Sequence, residues 1–201
     1  MNETATTAQL TVDDPRAVLA RAVTAARQLV DQLTDDQFVR PTPCTEYTVV
    51  DLLGHVLAVL QRVGAAGRGE DPMQINGQPP FAVVSDWPLA FAEAAHAIDA
   101  AWTHDGTLDS TIVMPWATLS GRAYLAMYTN EITVHSWDLA AATGQTPAWD
   151  PDVLDVAMGA IQFGLPADHR IAGLIPFANV VPTADDASLI DRLVAWNGRQ
   201  P

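Results

Sequence analysis

The sequence predicts an all-α fold, a four-helix bundle with long crossovers and extra C-terminal helices. Apolar residues recur in several segments at the three- and four-residue spacing of helices. Long connections rich in Gly and Pro separate these segments, and a run without Pro extends from Gly121 to Thr143. Long helices joined by long crossovers are typical of helical bundles, so these observations favour that class.

Two N-terminal helices begin at recognisable capping signals. An acidic N-cap followed by Pro15 at the first helical position predicts a first helix over residues 16–33. Thr48 and Asp51 have the spacing of a capping box, with Asp in place of the usual Glu. The second helix is therefore predicted over residues 49–66.

The middle of the chain contains a third helix and the longest one. Trp-Pro begins the third helix, which is predicted over residues 87–103. Residues 108–114 are short and β-branched, so they are expected to be extended. Ser120 is a suitable N-cap for a central helix over residues 121–143, and Gly144 is its expected stop.

The C-terminal part adds two helices to the bundle. An Asp-Pro pair predicts a helix over residues 152–163. Residues 171–181 are apolar but interrupted by Gly and Pro, which predicts an extended segment packed across the bundle. Asp185 or Asp186 is expected to cap a last helix that ends at Trp196.

Composition restricts the classes of protein to which the chain can belong. Its 201 residues suggest one domain, predicted over residues 13–201 after a flexible tail at residues 1–12. The net charge is −14, all ten positive residues are Arg, and an acidic surface disfavours nucleic acid and anionic membranes. The single Cys44 excludes an internal disulfide and a thiol-rich zinc site. Without a signal peptide or an apolar run of ~20 residues, a cytoplasmic protein is expected.

A stripe of polar residues follows one face of the central helix. Tyr124, Tyr128, Glu131, His135 and Asp138 succeed one another at steps of four, three, four and three. Such a stripe normally carries Leu, Ile and Val. Burying these groups without partners would cost ~1–3 kcal/mol each, so a metal ion or a wet pocket is expected to satisfy them.

Three residues are the candidate metal ligands. Glu131 and His135 point the same way one helical turn apart, and His55 lies within the apolar face of the second helix. Two His and one carboxylate suit zinc and leave a position open for water or substrate, and nickel, iron(II) or manganese would also be tolerated. The residues leave two alternatives open, a satisfied core histidine and a hydrogen-bonded cluster without an ion.

The other residues of the stripe, and Cys44, have two interpretations each. Asp138 is either a partner that orients His135 or a buried carboxylate satisfied by backbone or Trp. Tyr124 and Tyr128 either line the pocket or simply pack. Cys44 either approaches the site or is a buried structural thiol, and the second interpretation is preferred. No catalytic role is assigned to the remaining histidines, His96, His104 and His169.

Two stretches of the chain resemble a known family. Residues 42–55 are TPCTEYTVVDLLGH, and residues 131–140 are EITVHSWDLA. They resemble the metal motifs of the mycothiol-dependent maleylpyruvate isomerase metal-binding family, in the DinB-like (YfiT-like) superfamily. Residues 177–201 resemble an actinobacterial branch of that family. Nearly the whole chain is covered, and residues 67–120 match only loosely.

The resemblance implies a DinB-like four-helix bundle that holds a divalent metal through His55, Glu131 and His135. It also implies mycothiol or a similar thiol as cosubstrate, with an electrophile as its small-molecule partner. The expected activity is a thiol S-transferase, and the alternatives are a non-catalytic metal-binding or ligand-sensing module and a relative of the isomerase. Isomerases carry a further C-terminal domain, which this chain is expected to lack. Members of the superfamily often pair, so a homodimer is compatible with the resemblance.

Overall fold

The computed structural model describes residues 14–170 and 178–201, and it confirms the all-α, DinB-like prediction. In that part of the chain, α1 to α4 form a four-helix bundle, and α5 and α6 pack against α4. The helices are α1 (Pro15–Val30), α2 (Val49–Gly67), α3 (Trp87–Ala101), α4 (Gly121–Thr143), α5 (Pro151–Gly164) and α6 (Leu189–Trp196). The strands β1 (Thr111–Met114) and β2 (Ala117–Ser120) form one antiparallel hairpin.

Local capping chemistry fixes where α2 and α4 begin. Thr48 accepts a hydrogen bond from the backbone N–H of Asp51, and Asp51 accepts one from the backbone of Thr48, which confirms the capping box. Ser120 caps α4 by accepting from the backbone of Ala123. Gly144 ends α4 at a φ of 74°, in the left-handed region that favours glycine. Both helices that carry the candidate ligands therefore begin at a cap that the sequence defines.

Two hydrophobic clusters lie on either side of α4. The larger one fills the space between α1, α2, α3 and α4, and the smaller one joins α4 to α5 and α6. Ile132 faces the larger cluster, and Val134 faces the smaller one. Because successive residues of α4 face different clusters, most of this 23-residue helix is buried.

Several predicted details are wrong. Ser188, not Asp185 or Asp186, caps α6, because its hydroxyl accepts the backbone N–H of Asp191. The first helix ends at Val30 rather than residue 33. The third ends at Ala101, not residue 103.

The hairpin between α3 and α4 is also a difference from the prediction. Residues 108–114 were expected to be extended, but residues 105–109 form a short 3-10 helix and only Thr111–Met114 form a strand. The second strand, Ala117–Ser120, is too short to show an alternating pattern in the sequence.

The predicted tail at residues 1–12 lies outside the described residues, as does most of the predicted extended segment at residues 171–181. The division into one domain at residues 13–201 stays a prediction.

By length and composition, α2 could cross a membrane, although 78% of its most apolar window is buried inside the protein. It contacts α3 and α4 along the bundle. Burial of this extent is typical of a core helix. The apolar character of α2 is therefore explained by its place in the bundle.

Candidate metal centre

Helices α2 and α4 bring the three predicted ligands together. The Nε2 atom of His55 lies 3.1 Å from Oε1 of Glu131, and Nε2 of His135 lies 3.4 Å from the same oxygen. The two imidazole rings are 4.8 Å apart between centroids, at an interplanar angle of 74°. One ligand atom from each residue lies within 4.8 Å of the other two, so the sequence-predicted set converges on one point.

The remaining ring nitrogen of each histidine has a fixed acceptor. His55 Nδ1 lies 2.8 Å from the backbone oxygen of Gly77, and His135 Nδ1 lies 2.9 Å from Oδ2 of Asp138. An oxygen acceptor at Nδ1 requires the proton on that nitrogen, so each Nε2 is left as the free ligand atom. Oxygen acceptors of this kind orient metal-binding histidines in many proteins.

This hydrogen-bonded arrangement needs a positive charge, from a proton or from a metal ion. If both imidazoles are neutral, two Nε2 lone pairs point at one carboxylate oxygen of Glu131. Acceptors placed together in a buried site repel each other unless a proton or a metal ion lies between them. His55 and His135 are buried, whereas 30% of the Glu131 side-chain surface is exposed to solvent. The donor set therefore fits a divalent ion, which would be reached from the Glu131 side.

The charges of the site are strongly coupled. Burial alone would raise the pKa of Glu131, but its contacts with His135 and His55 hold it well below its ordinary value. Burial alone would lower the pKa of His135, but hydrogen bonds to Asp138 and Glu131 raise it to about 9. Near neutral pH, the metal-free site therefore holds a proton on His135 that an entering ion must displace.

Asp138 orients His135 and is itself held by Arg199. Its side chain is fully buried, and both of its oxygens accept from Arg199, at 3.3 Å from Nε and 2.9 Å from Nη2. These contacts decide between the two interpretations of Asp138, because the carboxylate bonds to His135 rather than to backbone or Trp. Sequence reasoning missed Arg199, and the available signal was its place directly after Gly198, two residues past the last residue of α6.

Cys44 lies nearer the site than expected. Its sulfur is within 4.8 Å of one ligand atom each of His135 and Asp138, and the residue is only partly buried. Of the two interpretations of Cys44, the structure therefore agrees with the one in which the thiol approaches the site. Burial nevertheless raises its pKa to about 11, although Arg199 acts in the opposite direction. The thiol stays protonated near neutral pH and is a poor nucleophile there.

The two phenols of the stripe contribute packing. Tyr124 and Tyr128 stack with centroids 4.3 Å apart, and the Tyr124 hydroxyl donates to the backbone oxygen of Arg62 at 3.3 Å. Burial raises the pKa of both. Of the histidines given no role, His96 and His104 are exposed.

Comparisons with known proteins identify the family of the chain. The sequence-family model of the mycothiol maleylpyruvate isomerase N-terminal domain matches residues 19–140, a range that includes all three candidate ligands. Two curated proteins of Mycobacterium tuberculosis are each 32% identical over 186 residues, covering 92% of this chain and 98% of theirs. They are Uncharacterized protein MT0763 of strain CDC 1551 / Oshkosh and Uncharacterized protein Rv0738 of strain ATCC 25618 / H37Rv.

No solved structure matches the chain at a significant level. The family match covers more than half of the chain, and the family is one of mycothiol-related, metal-binding, DinB-like proteins. The chain belongs to the mycothiol maleylpyruvate isomerase N-terminal domain family.

Proposed function

We propose that the protein is a metal-dependent transferase that joins a cellular thiol of the mycothiol type to an electrophile. The observation that carries this proposal is the convergence of Nε2 of His55 and Nε2 of His135 on one carboxylate oxygen of Glu131. His55, Glu131 and His135 would hold the ion, with zinc as the first choice for two nitrogens and one oxygen. Asp138 and Arg199 keep His135 oriented, with its proton on Nδ1.

The bound ion would supply Lewis acidity that lowers the pKa of a thiol at an open position. In the transfer, a bond forms between the thiol sulfur and the electrophilic carbon. The leaving group departs with its electron pair, and the thiol proton passes to solvent. Because the Cys44 thiol stays protonated near neutral pH, the reacting sulfur comes from the cosubstrate rather than from the chain.

Metal analysis of protein purified without an affinity tag tests the site. Wild type is expected to hold one divalent ion per chain, and the His55→Ala and His135→Ala variants are expected to lose it. His96→Ala is the matched control, because His96 is an exposed histidine of α3. Equal metal content in wild type and both ligand variants would refute the site.

Activity needs a separate measurement. Mycothiol is incubated with a panel of electrophiles, and thiol consumption is followed with and without a chelator. Consumption that the chelator abolishes and zinc restores supports a transferase. If consumption by the metal-loaded protein never exceeds that of the His135→Ala variant, the catalytic proposal fails while the metal site stands.

A closed, non-catalytic metal site is the second candidate, and the position of Cys44 favours it. The Cys44 sulfur lies with His135 and Asp138 rather than with His55 and Glu131, so it would have to shift toward the centre to become a fourth ligand. Structural zinc sites are closed by four protein ligands. Cobalt substitution separates the two functions, because thiolate bound to cobalt gives an intense charge-transfer band. A band that needs no added thiol and disappears in Cys44→Ala indicates a closed site. A band that appears only with added thiol indicates an open one.

A further inference from the structure

A strap of residues 75–81 lies along α2 beside His55. Three contacts attach it there. The Gly77 carbonyl accepts from His55 Nδ1 at 2.8 Å, and the Tyr47 hydroxyl donates to Oε1 of Gln78 at 3.0 Å. The Phe81 ring packs so closely on Gly54 that a Cβ at position 54 would lie 2.5 Å from it. The strap therefore supplies a backbone acceptor to a candidate ligand.

Arg62 fixes the same strap two helical turns further along α2. Positions 55 and 62 lie on one face of the helix, because seven residues are close to two full turns. Both Nε and Nη2 of Arg62 donate to the backbone oxygen of Ile75, at 3.0 and 2.8 Å. A charged guanidinium that directs two donors at a single carbonyl makes a stronger contact than a neutral pair would.

Gly77 packs directly against this guanidinium. A Cβ at position 77 would lie 2.8 Å from Cζ, Nη1 and Nη2 of Arg62, closer than side chains approach each other. Gly77 does not have a positive φ, so the space at Arg62, and not backbone conformation, explains the glycine. The Arg62 side chain therefore determines where the carbonyl of Gly77 can lie.

We propose that Arg62 is a positioning residue for His55. Arg62 holds Ile75 and Gly77 in place, and so it keeps the Gly77 oxygen within hydrogen-bonding distance of His55 Nδ1. That hydrogen bond orients the ring so that Nε2 faces the candidate centre. The effect of Arg62 on metal binding rests on the proposed metal site. Its effect on the hydrogen bond of His55 Nδ1 does not depend on a metal. Arg62 makes no ion pair with a carboxylate in the described parts of the chain, so surface charge pairing does not explain it.

Arg62→Met tests the proposal, since methionine retains much of the side-chain length without donors. Arg68→Met is the matched control, because Arg68 directly follows α2 but pairs with the exposed Glu70. The first measurement is the Nδ1 proton resonance of His55 in metal-free protein, assigned by its absence in His55→Ala. We expect a protected resonance in wild type and the control, and a broadened or missing one in Arg62→Met.

The second measurement is zinc affinity by chelator competition. Loss of a partner that orients a ligand typically weakens metal binding ~10–100-fold, and that is expected for Arg62→Met but not for the control. A protected His55 resonance together with wild-type affinity in Arg62→Met would overturn the proposal, even if its melting temperature falls. If wild type binds no zinc, the proposed function fails, and the His55 resonance alone decides the role of Arg62.

Gly77→Ala keeps the proposal testable if Arg62→Met does not fold. The added methyl group must displace the guanidinium or the strap, so the His55 resonance should broaden as in Arg62→Met. If both single variants fold, the double variant should weaken zinc binding by less than the product of the two single effects, because each disturbs the same contact. Additive effects, or a protected resonance in Gly77→Ala, would contradict the assignment.

Discussion

Competition between protons and metal at His135 gives the sharpest quantitative prediction. Hydrogen bonds to Asp138 and Glu131 raise the pKa of His135 to about 9 in the metal-free protein. The ion needs the neutral imidazole, so binding near pH 7 must first remove a proton held about two pH units above the solution pH. Apparent affinity at pH 7 should therefore be ~100-fold weaker than above pH 9, a cost of roughly 3 kcal/mol.

Calorimetry can count this proton directly. Zinc is titrated into metal-free protein near pH 7, in buffers that differ in their heat of ionisation, and the dependence of the binding heat on the buffer gives the protons released. We expect about one proton from His135, and a tenfold gain in apparent affinity per pH unit up to about pH 9. Asp138→Asn removes the nearer carboxylate and should lower this number. Affinity that does not change between about pH 6 and pH 8, with no proton release, would refute the reasoning.

Three further outcomes are expected. The raised pKa of His135 stabilises the metal-free fold, and this stabilisation is complete below pH 6.5, the pKa of an unfolded histidine. The melting temperature of metal-free protein should therefore fall as the pH rises from 6.5 to about 9. A melting temperature that does not change over this range would argue against the buried imidazolium. Gly144→Ala should lose ~1 kcal/mol in urea unfolding because φ is 74° there, whereas Gly106→Ala, with open space around it, should lose less. Thr48→Ala removes the α2 cap and should also cost ~1 kcal/mol, and a loss below a few tenths would show that the cap contributes little.

Local chemistry made much of the candidate site predictable from the sequence. The spacing of Glu131 and His135 places both on one helix face whatever the rest of the fold does. The caps at Thr48 and Ser120 depend only on residues within the same turn, and both are confirmed. His55 was a candidate ligand only in combination with Glu131 and His135, because a histidine on an apolar face can also be a satisfied core residue.

The groups that orient the histidines could not be predicted in the same way. Arg199 is 61 residues from Asp138, and their contact depends on how α6 returns to α4. Gly77 acts on His55 through its backbone oxygen, and every residue has such an oxygen, so the sequence carries no signature of it. The sequence left two interpretations of Cys44 open, because its distance from His135 depends on a loop without periodicity. Local spacing therefore predicts the candidate ligands, whereas the groups that orient them depend on long-range contacts of the fold.

The burial of α4 also bears on how the sequence can change over evolutionary time. Ile132 faces one hydrophobic cluster and Val134 the other, so few positions of this helix accept substitution without loss of stability. Glu131 and His135 alternate with these core residues along the same turns. A deep mutational scan for folded protein should therefore find α4 among the least tolerant elements. Selection for the fold alone would preserve the backbone geometry of the centre, even in descendants whose substrate has changed.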